Sequence, residues 1–175
     1  MKLLVAILPV VFMIHDFEEI IMFKPWLAKN REELKSRFPK VEQFMAKNHL
    51  FDFSTSTFAI AVMHEFILIS AANFTSLIFN NYSLWFAAFI AFSIHLLIHA
   101  GQWIIYRKYV PVIITSFLAL PYCIYTFIQF IQFTEMSPVK LLLWAFIGII
   151  ATVLSFFPAF FLARKFHYWQ NIKII

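Results

Sequence analysis

Charge is scarce in this chain: only 13% of its 175 residues are Asp, Glu, Lys or Arg, glycine occurs twice and cysteine once. A soluble domain carries roughly a quarter charged residues, so a water-exposed globule is excluded. The single Cys123 lies in an apolar stretch. It rules out an internal disulfide and a structural metal site built on several thiolates. Two glycines predict few close helix contacts of the small-residue type. In place of these the chain is 62% hydrophobic, with 24 phenylalanines, the composition of a polytopic membrane protein with broad lipid-facing surfaces. The net charge of +5 is explained below by topology and calls for no nucleic acid.

Five apolar segments, 3–23, 55–79, 83–106, 110–133 and 139–163, are each long enough to cross the roughly 30 Å hydrocarbon layer as a helix. The expected fold is all-α, a transmembrane bundle of five helices forming one domain over 1–175. The soluble-looking stretch 24–53 places Leu34, Phe38, Val41, Phe44 and Met45 at near-helical spacing among Lys, Arg and Glu. That pattern predicts a cytoplasmic amphipathic segment on the membrane surface, broken at Pro39. Pro158 predicts a kink or break in the last helix. The N-terminal run has no small-residue cleavage site and is expected to stay as a helix.

Of the 14 Lys and Arg, 12 fall in alternate connections: Lys24 to Lys47, Arg107 with Lys108, and Arg164, Lys165 and Lys173. The positive-inside rule then predicts an outside N-terminus and a cytoplasmic C-terminus, in a plasma membrane.

The first apolar run contains His15-Asp16-Phe17-Glu18-Glu19. An ionised side chain at the centre of a membrane helix costs roughly 2.5–3.5 kcal/mol even on lenient scales, so such a cluster must face protein and find a partner. His15, Glu18 and Glu19 share a helix face by their three- and four-residue offsets, while Asp16 projects about 100° from His15. Glu19 and His15, His64 and Glu65 on the second helix and His99 on the third fall at a similar depth, roughly 6–15 Å from the basic side, with His95 one turn from His99. Imidazole with carboxylate suits Zn, Mn or Fe, one ion or two, and facing helices of a bundle are a known place for such a site. His15, Glu18, Glu19, Glu65 and His99 are the expected ligands, with Glu18 and Glu19 also the acid/base groups. Asp16, His64, His95, Gln102 and Tyr109 are expected around them.

The same residues carry a resemblance. His15-Asp16-Phe17-Glu18-Glu19 near the N-terminus is similar to the signature of the HXXEE-domain membrane proteins. His99-Ala100-Gly101-Gln102 followed by Tyr109-Val110-Pro111-Val112, with Thr115 beyond, resembles the family's second feature, a histidine and then Tyr-x-Pro-Gly. Val112 stands where the family usually has glycine, so the turn into the fourth helix is expected to differ. The resemblance implies a membrane fold and leaves the function open.

Three readings fit a buried His/Glu site open toward the cytoplasm. One is a metal-dependent enzyme, hydrolase or oxidoreductase, on a lipophilic or membrane-delivered small molecule. Another is a proton- or cation-coupled transporter, for which five helices would need a homodimer to supply two equal halves. A structural protein whose site only holds the bundle together is the third alternative. In each case the bilayer is the first partner.

Overall fold

Pro39 decides where the first helix ends. It disfavours a helical conformation at Phe38, which adopts φ −135° and ψ 59°. From Lys24 to Arg37 nothing else stops a helix, because Lys, Ala, Glu and Leu are good helix formers. In the computed structural model, which describes residues 1–173, α1 therefore runs unbroken over Lys2–Arg37. The expected boundary at residue 23 is corrected, and the stretch 24–53 is only partly a connection. Pro39 then opens the short α2, Pro39–Lys47, at the first helical position, where a missing N–H costs nothing. A 3-10 turn, Leu50–Asp52, leads to α3, Thr55–Phe79, whose first turn is capped by the Ser54 hydroxyl accepting from the Thr57 N–H at 3.1 Å.

The remaining helices are α4, Ser83–Tyr106, α5, Ile113–Phe133, and α6, Pro138–Lys173. The described residues form helices and connections, with no strand. Two expected boundaries shift. α5 starts at Ile113 instead of residue 110, because Tyr109–Val112 is spent on a turn. α6 stays helical through Pro158 and continues about three turns past residue 163. The turn into α5 keeps a glycine-like shape without glycine: Val112 takes φ 67°, a left-handed conformation costing an L-residue about 1–2 kcal/mol. Its fully buried side chain offsets part of that strain.

α3, α4, α5 and α6 are long and apolar enough to cross a membrane. α1 is as long as α6, but Asp16, Glu18 and Glu19 fall within its apolar half and set it apart from those four by composition. It packs against α3 and α5, while α4 lies against α5 and α6. Val5, Leu8, Phe12, Trp85, Phe89 and Leu96 form the centre of the main core. Lipid tails are as apolar as these side chains, so close packing rather than escape from water stabilises the contact.

One approach depends on glycine. A Cβ added to Gly148 would lie 2.2 Å from the Ala87 carbonyl oxygen, so α6 touches the α4 backbone there. At Gly101 the same atom meets nothing within 4 Å. Gly148→Ala is expected to destabilise the bundle by about 1–3 kcal/mol through overpacking. Gly101→Ala should be neutral or stabilise by up to about 1 kcal/mol. Thermal unfolding in detergent measures both, and equal midpoints for the two variants would contradict the close contact.

The second half of α1 holds the α4–α5 connection. Trp26, Asn30, Glu33 and Arg37 follow one helix face. The Trp26 indole N–H donates to the Tyr109 carbonyl at 2.8 Å, and the Tyr106 hydroxyl donates to Asn30 Oδ1 at 3.0 Å. Lys108 Nζ donates to Glu33 at 2.9 Å, and Arg37 reaches both Glu33 at 2.6 Å and the Tyr106 carbonyl at 3.1 Å. The Lys108 and Arg37 hydrogen bonds, in that order, hold the Glu33 carboxyl down to about 2 from its ordinary 4.5. A depressed carboxylate contributes its stabilisation above the unfolded value and loses it as pH falls through the folded one. Amide exchange at residues 106–109 should therefore be pH-insensitive in relative protection above about 4.5 and lose protection between there and about 2. Glu33→Gln should remove that step. A step persisting in the variant would assign it to another group.

Candidate metal centre

α1 and α4 bring three histidines together. His15 lies under the aromatic edge of Phe92, with ring centroids 5.6 Å apart. His95 and His99, one turn apart on α4, present their rings to it at 5.3 and 5.5 Å. One nitrogen from each of His15, His95 and His99 falls in a group whose members all lie within 4.8 Å of one another. A second group, with the same limit, joins Asp16, Glu19 and His95. His95 belongs to both. By spacing and residue type, each group could hold a metal ion.

Hydrogen bonds fix which nitrogens are free. His99 Nδ1 lies 2.9 Å from Gln102 Oε1, an acceptor, so Nδ1 carries the proton and Nε2 the lone pair. The 3.0 Å contact between the Nε2 atoms of His99 and His95 then has His95 donating, a bond that a cation taking the His99 Nε2 lone pair would replace. His15 is fully buried and its Nε2 has no hydrogen-bond partner among the described residues. A buried, unpaired imidazole nitrogen is costly, and a metal ion is one partner that would relieve it.

The carboxylates divide into two kinds. Asp16 is 3% exposed, and neither it nor Glu19 receives a hydrogen bond from another described side chain or backbone group. Both are left for a cation or a proton. Glu18 and Glu65 are already occupied. Glu18 Oε1 accepts from the Tyr109 hydroxyl at 2.8 Å, and Oε2 accepts from the Thr115 N–H at 2.8 Å and the Thr115 hydroxyl at 2.7 Å. Burial, and then the bond to Glu18, hold the Tyr109 hydroxyl above the ordinary phenol range, so it remains a donor. Glu65 Oε1 lies 3.1 Å from His64 Nδ1, and Oε2 accepts from the Ser155 hydroxyl of α6 at 2.8 Å.

Of the five ligands expected from sequence, His15, Glu19 and His99 thus stand in the two groups, and Glu18 and Glu65 stand outside them. His95 and Asp16, expected only in the surroundings, are inside. Gln102 orients His99, Tyr109 holds Glu18, and His64 pairs with Glu65 and stands in neither group. Thr115 was visible only as part of the second motif, and Ser155 carried no signal, because both partnerships join residues about 90 to 100 positions apart.

Residues 6–126 match the sequence model of a family described as a protein of unknown function with HXXEE motif. No curated protein and no solved structure matches the chain.

Proposed function

The chain belongs to the HXXEE family, and from the geometry of its site we propose that it is an integral-membrane, metal-dependent enzyme acting on a lipophilic small molecule. One observation carries the reading: His15, His95 and His99 converge while His15 Nε2 is buried and unpaired. Three imidazoles with a position left over is the donor set of catalytic zinc sites, and it suits iron or manganese when carboxylates join. A divalent ion held there would lower the pKa of bound water or polarise an ester or carbonyl oxygen. Asp16 and Glu19, unpaired and next to His95, are the groups that would hold or move a proton. A second ion among Asp16, Glu19 and His95 fits the same inventory.

For the membrane setting, α1 would insert beside the four apolar helices, its acidic cluster facing protein, so that five helices cross and the site opens toward the cytoplasm. The support is the clustering of Arg107, Lys108 and the basic second half of α1 at the end of the bundle nearest His99. α2 would rest on the interface through its exposed Val41 and Phe44. A shallow, open depression lined by Glu18, Met22, Tyr109, Ile114 and Thr115 lies between α1 and α5. Its mostly apolar lining favours a lipophilic substrate.

The unpaired Asp16 and Glu19 also favour a second reading, a proton- or cation-coupled transporter. One pair of experiments separates the two. Metal-loaded protein and its His95→Ala variant are incubated with a total lipid extract, and the products are compared by mass spectrometry. The same proteins in liposomes are assayed for proton or cation flux. A metal-dependent mass change lost in the variant supports the enzyme. Flux without a mass change supports the transporter.

A further inference from the structure

Glu18, the first glutamate of the motif, places both carboxylate oxygens on the start of α5 and the connection before it. Thr115 is the third residue of that helix, so its N–H is one of the four that an α-helix leaves unpaired. A carboxylate from α1 fills that place in trans, where the helix dipole favours negative charge. Two donors from Thr115 and one from Tyr109 occupy both oxygens.

The Thr115 hydroxyl has one proton and several acceptors within reach. Glu18 Oε2 lies at 2.7 Å, the Val112 carbonyl at 3.3 Å and the His15 carbonyl at 3.4 Å. The charged and nearest acceptor takes the proton. The Thr115 oxygen is then left as an acceptor, and His15 Nδ1 lies 3.4 Å from it. An Nδ1–H directed at that oxygen leaves His15 Nε2 with a lone pair, and that is the atom found buried without a partner.

We propose that Glu18 is a positioning residue: by holding the Thr115 hydroxyl proton it sets the His15 tautomer and presents a bare Nε2 to the cluster. The two halves of the sequence pattern thus meet in one relay, His15 to Thr115 to Glu18, with Tyr109 closing it from the α4–α5 connection. The stretch of α1 that clamps this connection through Trp26 fixes the Tyr109 hydroxyl on Glu18. Outer partners of this kind fix the ring orientation and tautomer of metal-binding histidines. The identity of whatever meets Nε2 rests on the metal reading above; the tautomer does not.

The test uses the full chain in detergent, labelled with 15N-histidine, with His15 assigned by the spectrum of His15→Gln. In metal-free wild type, His15 should show a protonated Nδ1 and a bare Nε2. Glu18→Gln frees the Thr115 hydroxyl to donate to Nδ1, and Thr115→Val removes the hydroxyl, so both should shift His15 toward the other tautomer. Thr115→Ser keeps the hydroxyl and should restore the wild-type pattern, while thermal unfolding verifies that each variant is folded. Zn2+ affinity by chelator competition should fall about 10–100-fold in Glu18→Gln and Thr115→Val, with the number of ions bound unchanged. An unaltered His15 tautomer in both folded variants overturns the proposal. So does loss of a bound ion in Glu18→Gln with the tautomer unmoved, which would make Glu18 a ligand. If wild type binds no metal, the metal reading fails and the tautomer measurements still decide the role of Glu18.

Discussion

His95→Ala is expected to weaken metal binding more than a hundredfold, the largest effect of any single substitution in the cluster. His95 supplies a nitrogen to both ligand-distance groups, so its loss leaves His15 with His99 on one side and Asp16 with Glu19 on the other. Structural zinc binding of about 10–16 kcal/mol spread over four ligands gives roughly 3 kcal/mol for each, and more than a hundredfold in affinity follows from one ligand lost. Alanine is the best helix former, so α4 should survive the change. His64→Ala is the matched control, because His64 leans on Glu65 and belongs to neither group. It should bind metal as wild type does. Isothermal titration or chelator competition reads both, and equal losses in the two variants would remove His95 from the centre.

The second large effect couples stability to metal. Asp16 and Glu19 lie within 4.8 Å of each other with no hydrogen-bond donor from the described residues. Two like charges at that separation repel by about 3 kcal/mol at an effective dielectric constant of 20. A cation or a shared proton must relieve this. The double variant Asp16→Asn, Glu19→Gln should therefore unfold at a higher temperature than wild type when both are stripped of metal. With metal in excess the order should reverse, since ligand binding stabilises the folded state of wild type by mass action. Thermal unfolding with and without added metal tests both halves. A variant less stable than wild type under both conditions would mean that the carboxylates are held by other partners in the folded protein. Stability gained at the expense of a functional group is the usual pattern for a strained site.

What the sequence revealed and what it hid follow from distance along the chain. The His95–His99 pair was legible, because a four-residue offset puts two side chains on one face. The membrane character of the helices was legible from hydropathy, as was the helix break at Pro39. The length of α1 was misjudged because Lys24 to Arg37 is too polar for a membrane span yet entirely suited to a helix, and hydropathy does not separate those two properties. The fate of each glutamate was hidden. Glu18 and Glu19 are neighbours in sequence, yet α5 supplies donors to the first, and the second reaches His95 instead. Nothing within α1 distinguishes them. Glu65 was expected among the ligands from its depth, and a serine of α6 takes its carboxylate. Asp16 was expected only around the ligands, because a one-residue offset turns it about 100° from His15, and it groups instead with Glu19 and His95.

The central claim is that this cluster holds a divalent metal. Elemental analysis of the detergent-purified chain, equilibrated with Zn, Mn or Fe and then freed of unbound ion, tests it most directly. The predicted result is one or two equivalents per chain, reduced to background in His95→Ala. Background metal in folded wild type would contradict the claim and leave the buried carboxylates to protons.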